Sequence, residues 1–187
     1  DVIRADLPPW FDGLKLAARE VGGTQVQNAG TVVGNLCNAS PAADGVPCLM
    51  ALDAAVELAS AKGERTIPLA EFITGNRRTL RRADELVTGI VIPKPKHPAQ
   101  ATFIKLGARK YLVISIAMVA AVVERASNGT VAAARIAVGS CAAVAKRLPD
   151  LERALVGRPC DAALGGLVTG DHLNVLSPID DVRGSAG

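Results

Sequence analysis

The chain has 187 residues, 49% hydrophobic and 21% charged, which is the composition of a soluble globular protein with one large domain or two small ones. A net charge of +3, scattered without a polybasic run, argues against a nucleic-acid or anionic-membrane partner. The longest apolar stretch, 112–123, is 12 residues and contains Ser115, so no membrane span is expected.

Taken in order, Leu7, Trp10, Phe11, Leu14, Ala17, Ala18 and Val21 predict a one-faced helix over 7–21. Asp6 would cap it, Pro8 and Pro9 would fill its first turn, and Gly22-Gly23 would stop it. A polar stretch of small residues, 24–40, follows, then a short helix opened by Ser40-Pro41 and running towards Leu52. Residues 55–60 and 65–69 flank Lys62-Gly63 as a hairpin, and 86–92 reads as a strand ended by Pro93. The proline-rich 94–98 is a linker. Strands are expected at 102–106, 115–124 and 131–138, the last two joined through Asn128-Gly129. Leu148, Leu151 and Leu155 define a helix closed by Gly157, and 161–168 suggests another.

Cys37, Cys48, Cys141 and Cys160 form no CxxC pair, and His97 and His172 stand alone. The expectation is reduced, packed thiols in a reducing, cytoplasmic compartment, with no metal site. The sequence opens on Asp1 rather than Met, so its start is expected to lie upstream. No nucleophile with a base, general acid–base pair or metal cluster is visible, and no catalytic residue is assigned.

Residues 24–53 read TQVQNAGTVVGNLCNASPAADGVPCLMALD. So little bulk, with so many amides and hydroxyls, suits a backbone that approaches a ligand closely. Gly30 and Gly34 permit contacts that a Cβ would block, backbone N–H groups in such turns can cradle phosphate, and Thr31, Asn35 and Asn38 offer neutral hydrogen bonds. Asp44 could accept from a ribose hydroxyl. The same residues also read as plain turns, a Ser-Pro helix start and an acid serving the helix dipole. Neither a Walker loop nor GxGxxG is present.

Gln25, Asn28, Gly30, Thr31, Gly34, Asn35, Ala39, Ser40, Pro41 and Asp44 match a segment that resembles the flavin-contacting stretch of molybdenum hydroxylase FAD subunits, the xanthine dehydrogenase and carbon monoxide dehydrogenase family. Thr79-Leu80, Asp84 to Val87 and Ile90 to Pro93 look like that family's strand leaving the flavin domain, and Phe103 to Lys105 with Arg109 like its next segment. The closing 181–187, DVRGSAG, looks like its C-terminal signature. Two departures stand out: Val33 replaces a glycine and Gln27 an arginine.

The resemblance implies an α+β fold in which 1–93 is the second subdomain of a vanillyl-alcohol-oxidase-type FAD-binding fold and 99–187 a small sheet-plus-helices domain. It implies that Thr31, Val32, Val33, Gly34 and Asn35 wrap the FAD pyrophosphate and adjacent flavin, with Asn38 near. Asp44 would hold a cofactor hydroxyl, and Val87 and Lys105 would lie at the isoalloxazine edge. Val21 falls where the family often has an apolar residue beside the flavin, a position that helix packing also explains. The family's N-terminal subdomain, with its own Gly-rich loop, is not found after Asp1, so the chain alone is expected to be inactive and to bind FAD weakly. The function implied is electron transfer from [2Fe–2S] clusters to an external acceptor, beside an iron–sulfur subunit and a molybdopterin subunit. Rival readings are a stand-alone flavin oxidoreductase and an interaction module that keeps the fold without FAD.

Overall fold

Residues 2–186 are described by a computed structural model. The N-terminal periodicity does produce a helix, but Asp6 does not cap it. A 3-10 turn at Pro9–Phe11 leads into α1, Asp12–Glu20, and neither start carries a side-chain cap. Gly22, at φ 56°, ends the helix as expected.

The 24–40 stretch is not irregular. It folds into α2, Thr24–Ala29, and α3, Val32–Asn38. Thr31 caps α3, its hydroxyl accepting from the Gly34 N–H at 2.9 Å. Helices of six and seven residues make too few turns for an apolar period to show, and burial within them is confined to Leu36. The next helix, α4, runs Gly45–Ala51, later than Ser40-Pro41 predicts, because 40–44 close on themselves in turns through Ala43 N–H to Ser40 C=O.

Strands β1, Ala55–Ser60, and β2, Gly63–Pro68, form the expected hairpin, and β5, Leu86–Val91, pairs antiparallel on the other side of β1. Between them lie α5, Leu69–Phe72, and the short pair β3, Ile73–Gly75, and β4, Arg78–Thr79. The second sheet has the order β6-β7-β8-β9, all antiparallel, from Ala99–Leu106, Ala117–Arg125, Val131–Gly139 and Lys146–Arg147. Gly129, at φ 84°, turns β7 into β8. Helix α6, Pro149–Leu155, ends before Gly157 at φ 80°, and the last expected helix narrows to a 3-10 segment, Ala162–Leu167.

The second sheet is covered on both faces, and its two covers come from different halves of the chain. Helices α1 and α4 place Leu14, Ala17, Val46 and Leu49 against Phe103, Met118, Ala120 and Val122 in one continuous core. On the opposite face Leu148, just before α6, and Leu151 and Leu155 within it meet Val131, Ala134 and Val138. Two arginines stitch the C-terminal end of α4 to the sheet. Arg135 donates to the Ala51 carbonyl at 2.9 Å and Arg147 to that of Met50 at 3.0 Å. Cations belong there, where helical carbonyls lack partners.

Helix α1 sits close on β6 because Gly13 has no side chain. A Cβ there would lie 2.8 Å from the Thr102 carbonyl oxygen, a backbone atom that cannot swing aside. Gly13→Val is therefore expected to destabilise the protein by about 1–3 kcal/mol, the range for overpacking. Urea unfolding followed by circular dichroism measures it, and an unchanged midpoint would refute the tight seat.

Arg65 of β2 reaches past β1 to the residue before β5, its guanidinium forking onto Glu85 at 2.7 and 2.9 Å. The Arg65 hydrogen bond first, then the Arg82 N–H, hold the Glu85 carboxyl down to about 2. In Glu124 burial pulls the other way, but the Arg135 hydrogen bond and the His97 and Lys96 N–H groups outweigh it and keep that carboxyl below its usual range. A carboxyl lowered on folding stabilises above its unfolded value and loses that contribution as pH falls through the folded one. The melting temperature is expected to hold above about pH 5 and to fall between about pH 4.5 and 2, with a shallower fall in Glu85→Gln. A Glu85→Gln curve superimposable on wild type would count against this.

Candidate functional site

Two neighbouring cavities open beside α1 and α3, the first towards α2 and the second towards the irregular segment 107–116. The first, about 330 Å³, is walled by Val21, Val26, Asn28, Thr31, Val32 and Asn35, among others. The second, about 380 Å³, is walled by Val21, Asn35, Ser40, Asp44, Val113 and Ile114, among others. Each lies in the size range of small-molecule sites. Val21 and Asn35 belong to both walls.

Asn35 Oδ1 is buried without a hydrogen-bond partner. Room for it comes from Gly45, where a Cβ would stand 3.0 Å from that oxygen. A buried amide oxygen left unpaired is unfavourable and calls for a donor that protein atoms do not supply.

Asp44 forms the floor of the second cavity and is itself buried. Its Oδ2 holds the Lys105 ammonium at 3.0 Å, with side chains 7% and 8% exposed for Lys105 and Asp44. Its Oδ1 accepts from the Ser115 hydroxyl at 2.6 Å. Lys105 is therefore no solvated strand-end lysine; it is a paired cation under the cavity. Cys48, one turn along α4, donates to the Gly13 carbonyl at 3.3 Å, and burial followed by the Asp44 charge pushes its thiol well up. That thiol is inert packing.

Of the nine residues singled out from sequence, Thr31, Val32 and Asn35 line the first cavity and Asn35 and Asp44 the second, with Lys105 joined through Asp44. Gly34 spends its N–H on the Thr31 cap, and a Cβ there would meet Thr31 Oγ1 alone, at 3.0 Å. Val33, one position before it, lines neither cavity. Asn38 accepts from Arg77, and Val87 sits in β5 opposite Leu58. Neither faces these cavities. Gly30 closes α2 and lines the first cavity, and a Cβ there would stand 2.8 Å from the Val26 carbonyl oxygen. Sequence reasoning missed Ser115 as a site residue, though a lone hydroxyl inside the apolar 112–123 run was the available signal.

Among the described residues no group of His, Cys, Asp and Glu is placed to hold a metal, and no helix is long and apolar enough to cross a membrane. All four cysteines are free thiols.

The two cavities are thus lined by neutral amides and by the carboxylate of a buried ion pair. The family described as FAD binding domain in molybdopterin dehydrogenase matches residues 1–95, and the CO dehydrogenase flavoprotein C-terminal domain matches 102–187. The chain belongs to this family of FAD-binding components, and FAD is the cofactor of its first domain. It is 42% identical over 103 residues to the nicotinate dehydrogenase FAD-subunit of Eubacterium barkeri, covering 54% of this chain and 35% of that one. It is 32% identical over 171 residues to the nicotine 6-hydroxylase medium subunit of Paenarthrobacter nicotinovorans, covering 91% and 59%. A carbon monoxide dehydrogenase structure from Hydrogenophaga pseudoflava superposes with a TM-score of 0.89 at 29% identity, over 100% of this chain and 64% of that one. The chain thus spans less than two thirds of each of these relatives.

Proposed function

We propose that this chain supplies one wall of the FAD cleft in the electron-transfer subunit of a cytoplasmic molybdenum hydroxylase, working beside a [2Fe–2S] subunit and a molybdopterin subunit. The observation that carries the reading is the unpaired Asn35 oxygen, buried where the two cavities meet. FAD, when bound, supplies the redox chemistry, passing electrons from the iron–sulfur clusters to an external acceptor. The chain's residues bind and orient. Asn35 Oδ1 accepts from a cofactor donor. The N–H groups of Val32 and Val33, in the first turn of α3, have no partner within the helix and are offered to phosphate oxygens. Gly34 keeps that turn narrow by leaving room for the Thr31 cap. Asp44 retains lone pairs for a cofactor hydroxyl after serving Lys105 and Ser115. Lys105 places a cation beneath the cleft, and Val87 holds β5 behind α3.

The test is FAD titration of the subunit as encoded, wild type against Asn35→Leu. Losing the acceptor is expected to weaken FAD binding roughly tenfold, since a net hydrogen bond is worth about 1 kcal/mol and somewhat more to a well-held ligand. The apo form should melt no lower than wild type, because an unpaired buried oxygen has been removed. Unchanged FAD affinity would overturn the reading.

A further inference from the structure

The segment 181–184 lies far in sequence from the cleft. Its backbone closes on itself, Asp181 N–H to Gly184 C=O at 3.1 Å and Gly184 N–H to Asp181 C=O at 3.2 Å. Inside that turn the Asp181 carboxylate accepts from Arg183 Nε at 2.8 Å, pairs with Nη2 at 2.7 Å, and accepts the Arg183 backbone N–H at 2.8 Å. The far edge of the guanidinium is left to reach inward. Its Nη1 donates to the Ser115 carbonyl at 3.1 Å, and the Arg183 side chain is only 19% exposed. A planar fork can serve a carboxylate on one edge and a carbonyl on the other; an ammonium cannot do both in fixed geometry.

Ser115 is fully buried and ends the irregular segment that walls the second cavity. That segment has few ties of its own. Ile116 N–H to Leu106 C=O closes its base at 2.8 Å, and Arg109 donates to the carbonyls of Tyr111 and Leu112 within it. Tyr111, Leu112 and Ile114 expose apolar side chains. The Ser115 hydroxyl donates to Asp44 Oδ1, and Asp44 Oδ2 holds Lys105. Contacts therefore run without a gap from Arg183 through Ser115 and Asp44 to Lys105.

We propose that Arg183 is a positioning residue for the cleft: by hooking the Ser115 main chain it fixes the hydroxyl that orients Asp44, and through Asp44 it fixes Lys105. The role assigned to the cleft rests on the FAD reading above. Arg183 itself touches no cofactor. The turn is built around the arginine, which explains why an acid stands two residues before it.

The experiment uses the 187-residue chain and the subunit as encoded, each as wild type, Arg183→Met, Arg183→Lys and Ser115→Ala. In the chain, acylation of Lys105 is followed by mass spectrometry against exposed Lys62, together with amide exchange over 107–116. Arg183→Met is expected to speed Lys105 acylation and exchange of the segment by roughly three- to tenfold, the worth of one hydrogen bond, with Lys62 unchanged. Arg183→Lys, keeping one donor, should recover part of both. Ser115→Ala should raise Lys105 acylation while exchange stays nearer wild type, because the main-chain hook survives. In the subunit, Arg183→Met should weaken FAD binding by a similar factor. Unchanged Lys105 acylation in Arg183→Met overturns the linkage. Faster acylation with unchanged FAD affinity overturns the positioning role and leaves only an anchored tail. A wild-type subunit that binds no FAD overturns the cleft reading and this proposal with it, and that failure is recognisable because it does not depend on Arg183.

Discussion

Asp44→Ala is expected to destabilise the apo protein by about 3–5 kcal/mol, the range for breaking a buried ion pair from one side. The carboxylate satisfies two buried groups at once, the Lys105 ammonium and the Ser115 hydroxyl. Removing it leaves a cation that is 7% exposed with no counter-charge, and a hydroxyl at 0% exposure with no acceptor. The pair need not add net stability, since desolvation opposes its attraction. Replacing both members with apolar residues, Asp44→Leu with Lys105→Met, should therefore recover most of the loss while FAD binding stays impaired. That split separates the two roles of the site. Urea midpoints of Asp44→Leu, Lys105→Met and the double variant give the stability side of the cycle. If the double variant were as unstable as the sum of the singles, the two side chains would not be coupled. If it bound FAD like wild type, neither would serve the cofactor.

Severing the chain within 94–98 is expected to leave neither half folded. The residues that cover one face of the second sheet, Leu14, Ala17, Val46 and Leu49, come from the first half, and Phe103, Met118 and Val122 come from the second. Apart, each half would expose that shared surface to water, forfeiting about 25 cal/mol for every Å² of apolar area it buries. The charged ties fail together with it, because Arg135 and Arg147 of the second half satisfy the last carbonyls of α4 in the first. Segments 1–95 and 99–187, expressed separately, should show poor amide dispersion in NMR spectra and no cooperative melt. Mixed, they should recover both. Independent cooperative melting of either half would show that the shared core is dispensable.

Most elements within the second half were legible from local chemistry. Asn128-Gly129 dictates a turn with positive φ, alternation marks β7, and Leu148, Leu151 and Leu155 lie one helical face apart. The FAD family was legible too, from the ordered string between Gln25 and Asp44. Residues such as Gly34 and Asn35 are selected by short-range demands, a cap at Thr31 and an amide beside Gly45, that leave a compact trace in sequence. The helices α2 and α3 left none, because six or seven residues cannot establish a period. Nor could local chemistry reveal what Asp44 faces. Its partners lie 61 and 71 residues away, at Lys105 and Ser115, and a carboxylate near a helix start looks the same whether it serves the dipole, a ribose or a buried ammonium. The shared core is of the same kind. An apolar face on α1 says only that something covers it, whereas the absence of a side chain at Gly13 against the Thr102 carbonyl says what does. Local propensity sets the elements; long-range burial, which acts between residues that sequence keeps apart, sets their partners.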